Sequence, residues 1–204
     1  MDNLKNKVII LTGASKGIGR VTALNLSKYN PRLVLVSRKY DDILKVQNEL
    51  NKYKNSLLLI EADVSKEEDC KKIVDETVKK FGTIDILINN AAQFARGKVI
   101  DLSLEDFDRV WATNVRGVFM LTKFVLPYMI KQNIGTILNI ASTAGKRGYV
   151  GGSAYTASKF ALNGFSECLL KEVREYNIRI LTISPSMVDT RLKEESEMEE
   201  GGKG

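Results

Sequence analysis

Residues 8–19, Val-Ile-Ile-Leu-Thr-Gly-Ala-Ser-Lys-Gly-Ile-Gly, run from an apolar stretch through a glycine turn into a helical pattern. No other feature of the chain constrains its fold as tightly. A strand that turns through glycines into a helix start leaves backbone N–H groups without partners. Those donors and the positive end of the helix suit an anionic pyrophosphate. Gly13 and Gly17 permit the turn and a close backbone approach, and Gly19 lets helix and strand pack closely. The segment therefore predicts a dinucleotide-binding βαβ unit at the start of the chain.

The rest of the sequence continues the alternation. Short apolar runs predict strands at 7–12, 32–37, 56–61, 84–89, 135–141 and 178–184. Several, such as Leu33-Val34-Leu35-Val36, are continuously apolar, as parallel strands covered on both faces are. Helical patterns fall at 17–29, 40–53, 66–81, 103–131 and 153–176, with Ser65 and Ser103 as expected N-caps. The order predicts an α/β fold: a doubly wound, mostly parallel Rossmann sheet with helices on both faces. One dinucleotide-binding and catalytic domain is expected over 1–190, followed by a polar, flexible tail over 191–204.

Composition narrows the chemistry. Histidine is absent, which excludes Ser-His-Asp and Cys-His catalysis and histidine-based zinc sites. Acid–base work falls to Tyr, Lys, Asp or Glu, and no metal is expected. Cys70 and Cys168 each lie in a helical pattern and read as small, partly buried side chains. The formal charge is +6, although residues 193–204 carry five glutamates and two lysines. The remaining body is thus more basic still, which favours anionic ligands such as phosphorylated cofactors or acidic carriers. Nothing in the pattern of basic and aromatic residues points to nucleic acid. No apolar stretch approaches the ~20 residues of a membrane span, and the start of the chain leads straight into the first strand, so a cytoplasmic protein is expected.

Tyr155 and Lys159 stand four apart at the start of a helical pattern, on one face and one turn from each other. An ammonium beside a phenol, reinforced by a helix N-terminus, is expected to favour the phenolate. Ser142 follows the strand at 135–141, at the end where parallel sheets place their ligands, and the glycine-rich linker 143–153 lets it meet Tyr155.

These residues together resemble the short-chain dehydrogenase/reductase family, from Lys7 to Thr190. Thr12-Gly13-x-x-x-Gly17-x-Gly19 resembles its cofactor turn, and Asn89-Asn90-Ala91-Ala92 the loop after its fourth strand. Asn114, Ser142, Tyr155 and Lys159 fall on its catalytic tetrad, and Pro185-Ser186-x-Val188-x-Thr190 on its segment beside the nicotinamide. The resemblance implies that Tyr155 exchanges a proton with the substrate oxygen and that Ser142 hydrogen-bonds that oxygen. Lys159 would hold the nicotinamide ribose, and Asn114 would bind a water in a proton relay. It implies cofactor contacts at Gly13, Ser15, Lys16, Gly17, Ile18, Gly19, Asp63, Val64, Asn90, Ala91, Tyr155, Lys159, Pro185, Val188 and Thr190. Ala92 and Ser186 stand where the family has glycine. The family's substrate-covering loop, further helix and seventh strand have no counterpart after Thr190.

The second predicted strand ends Val36-Ser37-Arg38-Lys39, without the acid that binds a ribose 2′-hydroxyl in NAD-selective proteins. Arg38 instead offers a planar fork to a 2′-phosphate, with Lys16 adding charge, so NADP(H) is the expected cofactor. The expected activity is hydride transfer between nicotinamide and a carbonyl or secondary alcohol, with a 3-oxoacyl thioester on an acidic carrier as one substrate. A catalytically silent dinucleotide-binding sensor or scaffold is the alternative. The long helices at 103–131 and 153–176 are expected to pair copies of the chain into a homodimer or homotetramer.

Overall fold

A computed structural model describes residues 4–51, 53, 56–186, 188 and 189. Six parallel strands form one sheet in the order β3-β2-β1-β4-β5-β6. The strands are β1 (Val8–Thr12), β2 (Arg32–Ser37), β3 (Ser56–Glu61), β4 (Ile86–Asn89), β5 (Gly135–Ile140) and β6 (Ile178–Ile183). Helices α1 (Gly17–Leu26), α2 (Tyr40–Leu50), α3 (Glu67–Phe81), α4 (Leu104–Trp111), α5 (Val118–Lys131) and α6 (Ser153–Glu172) join them. The strand order reverses between β1 and β4, which opens a crevice at the carboxyl ends of the central strands.

All five residues of β1 are buried, and they divide by alternation. Val8 and Ile10 pack with Ile73 of α3 and with Leu121, Val125 and Met129 of α5. Ile9 and Leu11 pack on the other side with Ala23 of α1 and with Ile43, Val46 and Leu50 of α2. The apolar runs are therefore continuous because each face has its own helical cover. At the β6 edge, Ile180 joins the first of these clusters, whereas Leu181 and Ile183, on the opposite face, are about half exposed.

Several element boundaries differ from the sequence expectation. The predicted helix 103–131 is two α-helices joined by a π-helical segment, Ala112–Gly117, which contains Asn114. The helix expected at 153–176 ends at Glu172 and is followed by a 3₁₀ turn, as is the one expected at 17–29. Ser103 caps α4, its hydroxyl accepting from the Asp106 N–H at 3.1 Å. Ser65 does not cap α3: its hydroxyl donates to Asp63 Oδ1, and Lys66 holds the N-cap position. β4 begins at Ile86 because Asp85 turns its carboxylate back to Lys7 Nζ and the Val8 N–H. Cys70 is buried and Cys168 exposed. The predicted tail, 191–204, lies outside the described residues, as does Thr190.

Candidate active site

The glycine turn after β1 has the geometry its sequence requires. Gly13 and Gly17 adopt φ of 63° and 55°, in the left-handed region. A Cβ added to Gly19 would lie 2.1 Å from the Gly13 carbonyl oxygen, so no side chain fits where α1 crosses the turn. Thr12 ties the turn to the loop after β4, its hydroxyl accepting from the Asn90 and Ala91 N–H groups at 3.0 Å each. Asn90 reciprocates, donating to the carbonyls of Thr12 and Gly13. Helix α1 has neither a capping side chain nor an acid in its first turn, in contrast to α3 and α4, which begin with acids. Its N-terminal N–H groups thus face an opening that suits an anion.

A cleft of about 480 Å³ lies over this turn. Gly13, Ser15, Lys16, Gly17, Ile18, Arg38, Asp63, Val64, Asn90 and Ala91 all line it. These residues fit a dinucleotide: glycine N–H groups for the pyrophosphate, and an arginine where the adenosine ribose would end. Arg38 is exposed, and no ion pair engages it among the described residues. The one acid on the nearby wall of α2, Asp42, pairs with Lys45 at 3.6 Å. Asp63 Oδ1 accepts from the N–H and hydroxyl of Ser65, so this carboxylate also orders the start of α3. Gly19 does not line the cleft; its contribution is the close crossing.

Beyond the cleft, the turns at the end of β5 and the start of α6 bring Ser142, Tyr155 and Lys159 together. Ser142 accepts from the Ala144 N–H at 3.1 Å, which orients its hydroxyl, and its side chain stands near enough to the Tyr155 phenol to favour the phenolate. Burial raises the Tyr155 pKa above the ordinary tyrosine value; the Ser142 side chain opposes this and the neighbouring Tyr149 phenol adds to it. The phenolate expected from the Tyr-Lys spacing is therefore not favoured. Burial is the reason, and Lys159 does not offset it: itself buried, Lys159 donates to the Ile140 carbonyl at 2.7 Å and lies 5.6 Å from the centre of the Tyr155 ring. Burial lowers its own pKa to about 8. The Phe94 ring meets Tyr155 edge-on, with centroids 5.2 Å apart.

Asn114 is fully occupied by its side chain. Its Oδ1 accepts from the Gln93 N–H at 2.7 Å, and its Nδ2 donates to the Gln93 carbonyl and to Ser158 Oγ. Ser158, completely buried, donates its own hydrogen bond to the Tyr155 carbonyl at 2.7 Å. The π-helical segment thus staples the loop after β4 to the first turn of α6. Insertions of this kind in helices recur at functional sites.

Of the remaining expected residues, Pro185 accepts from the Thr143 N–H at 3.0 Å, which holds the end of β6 beside Ser142, and Val188 is about half exposed. Neither Ala92 nor Ser186 takes a positive φ, so the residues that replace the family's glycines carry no backbone strain. Sequence reasoning missed Thr12 and Ser37. The first clamps the loop after β4, and the second donates to Ser15 Oγ at 3.1 Å across the cleft. A hydroxyl residue at the carboxyl end of each of two adjacent strands was the available signal. A separate cavity of about 550 Å³, lined by Trp111, Val115, Phe119, Leu162 and Phe165 among others, lies between α5 and α6; neither Ser142 nor Tyr155 borders it.

Known proteins are similar to this chain in sequence and in fold. Residues 7–201 match the family described as short chain dehydrogenase. An NADP-dependent 3-hydroxy acid dehydrogenase of Schizosaccharomyces pombe is 39% identical over 193 residues, 93% of this chain and 74% of that protein. The 3-oxoacyl-[acyl-carrier-protein] reductase FabG of Thermotoga maritima is 32% identical, over 94% of this chain and 78% of that one. Among solved structures, NAD+-bound xylitol dehydrogenase superposes with a TM-score of 0.89 at 35% identity, covering 97% of this chain and 76% of that one. A metagenomic short-chain oxidoreductase in complex with NADP gives 0.86 at 30%, covering 89% and 83%. The chain belongs to the short-chain dehydrogenase/reductase family. It is an oxidoreductase of alcohol and carbonyl groups that uses a nicotinamide dinucleotide and a small-molecule substrate. Among the described residues no helix is long and apolar enough to cross a membrane.

Proposed function

We propose that the chain is an NADP(H)-dependent carbonyl reductase and alcohol dehydrogenase that works through Tyr155, Ser142, Lys159 and Asn114. Lys159, buried 5.6 Å from the centre of the Tyr155 ring, with Ser142 on the neighbouring turn after β5, carries this reading. The bound dinucleotide supplies or accepts the hydride. Tyr155, kept protonated by burial, gives its proton to the substrate oxygen during reduction and takes one back during oxidation. Ser142 donates a hydrogen bond to the same oxygen, which holds it against the phenol. Lys159 holds the nicotinamide ribose from the cleft side. The Asn114 amide is spent on Gln93 and Ser158, so a relay water would rest on its main-chain carbonyl.

Arg38 supports NADP(H) over NAD(H), as does the S. pombe relative, which is named for NADP. Ser37 and Lys39 flank Arg38 in the cleft wall. The relatives' names point to 3-hydroxy acids and 3-oxoacyl thioesters, which carry an oxidisable alcohol and a reducible carbonyl, respectively, two carbons from an acyl carbon. A carrier-bound thioester is consistent with the basic charge of the chain. We assign the α5–α6 face to pairing between copies of this chain. Phe119 and Phe165 meet edge-on there, half of Phe119 is exposed, and the buried Trp111 indole N–H beside the cavity has no hydrogen-bond partner among the described residues. Two free cysteines support a cytoplasmic setting.

Tyr155→Phe tests the mechanism. The variant is expected to lose turnover of every ketone by about 10²–10⁴-fold, the contribution of a positioned acid. NADPH binding, followed by fluorescence, is expected to persist. Deuteride transfer from labelled NADPH at an unchanged rate would refute the assignment.

A further inference from the structure

The two loops that flank Tyr155 carry more cations than acids. The loop after β4, residues 90–103, contains Arg96 and Lys98, with Asp101 as its one acid; the one after β5, residues 141–152, contains Lys146 and Arg147 and no Asp or Glu. The loops are zipped by backbone. The Gly97 N–H donates to the Gly151 carbonyl at 3.0 Å, and Gly97 forms a parallel bridge with Gly152. Gly151, at φ 77°, lies under the stem of Arg96, where an added Cβ would sit 3.5 Å from Arg96 Cγ. All four cations are exposed, and none forms an ion pair among the described residues. Arg109, on neighbouring α4, is by contrast engaged by Asp106 and Gln93.

Between these charges lie apolar surfaces. Phe94 is 52% exposed and touches the Tyr155 ring; Tyr149 and Val150 are 45% and 80% exposed. Exposed apolar surface beside Tyr155, with unpaired cations on both adjoining loops, matches a small molecule with a short apolar body and one anionic end. Cations left without counter-charges beside a site also concentrate such anions there.

We propose that this rim selects carbonyl substrates that carry a free carboxylate, with Arg96 receiving the acid while the carbonyl lies against Tyr155 and Ser142. The proposal rests on the oxidoreductase reading above and chooses, among the substrates it allows, the acid over the thioester. A guanidinium meets a carboxylate through two parallel hydrogen bonds, so Arg96 orients the substrate as well as attracting it.

The test compares acetoacetate with two neutral relatives, methyl acetoacetate and acetoacetyl-N-acetylcysteamine, using NADPH as reductant. The acid is expected to show a kcat/KM about tenfold or more above either neutral compound, the worth of one charge-assisted hydrogen bond. That ratio is expected to shrink at high salt. It is also expected to fall about tenfold in Arg96→Ala, through KM, and further in the Arg96→Ala/Arg147→Ala double variant. Calorimetric titration of butyrate, with butyramide as control, into NADPH-loaded protein reads the same site without turnover; butyrate is expected to bind and Arg96→Ala to abolish it. Equal efficiencies, a preference for the thioester, or a ratio that Arg96→Ala leaves intact would overturn the rim. Reduction of the ester without acid preference would do so while leaving the oxidoreductase reading in place. Arg96-dependent butyrate binding without reduction of any ketone would support the rim and count against that reading.

Discussion

At the end of β2, the Arg38 guanidinium stands exposed where a ribose acid would otherwise be. A charge-assisted bond to a 2′-phosphate is worth about 1.5–3 kcal/mol, about ten- to hundredfold in Kd. Arg38→Ala is therefore expected to weaken NADPH by that factor and to change NADH little, as measured by fluorescence titration of both. Lys159 carries a second prediction at this scale. Burial lowers its pKa from 10.5 to about 8, so the folded chain releases this proton before the unfolded chain does. Its contribution to stability is fully present above the unfolded value and is lost as pH falls toward 8. Relative to Lys159→Met, wild type is expected to gain on the order of 3 kcal/mol between pH 8 and pH 10.5 in urea unfolding, following the free energy of its pKa shift. The Cys70 thiol, pushed by burial up to about 12, acts in the opposite sense but cancels in that comparison.

At the scale of elements, the π-helical segment decides the geometry of the site. The Asn114 amide holds both backbone groups of Gln93 and reaches Ser158, whose hydroxyl holds the Tyr155 carbonyl. Three separate pieces of chain thus share one buried side chain. Asn114→Ala would leave those groups unpaired, at about 1–3 kcal/mol each for the buried ones. The variant is expected to lower the thermal midpoint and to reduce kcat more than it weakens NADPH. An unaltered kcat in a folded Asn114→Ala would show that the staple does not position Tyr155. A second buried chain, Asn89 to Asn139 to Ser166, links β4, β5 and α6 through bonds of 2.9 Å each. It fixes the helix that carries Tyr155 to the strand that carries Ser142.

At the scale of the whole molecule, the sheet is covered by α1 and α2 on one face and by α3, α5 and α6 on the other. The α5–α6 face keeps an apolar cavity of about 550 Å³, and Phe119 and Phe160 are 52% and 47% exposed. If this face pairs two copies, Phe119→Glu buries a charge in the interface, which costs several kcal/mol. Light scattering is expected to report an oligomer for the native chain and a monomer for the variant. A variant of unchanged mass would place the contact elsewhere.

The architecture was legible because it depends on local chemistry. Continuous apolar runs such as Leu33–Val36 specify buried parallel strands, and the turn at Gly13–Gly19 admits few other conformations. The members of the Ser-Tyr-Lys cluster were legible for the same reason, since their spacing fixes which strand end and which helix turn carry them. Sequence alone did not disclose the break in the helix at Asn114, whose side-chain partners, Gln93 and Ser158, are remote in the chain. Nor did it disclose the protonation of Tyr155. The one-turn spacing argued for a phenolate, but burial of both groups reverses that preference, and burial is a property of the assembled fold. Local pattern thus determined the elements and the chemical groups this chain carries, and tertiary packing decided their ionisation, their partners and the rim that frames them.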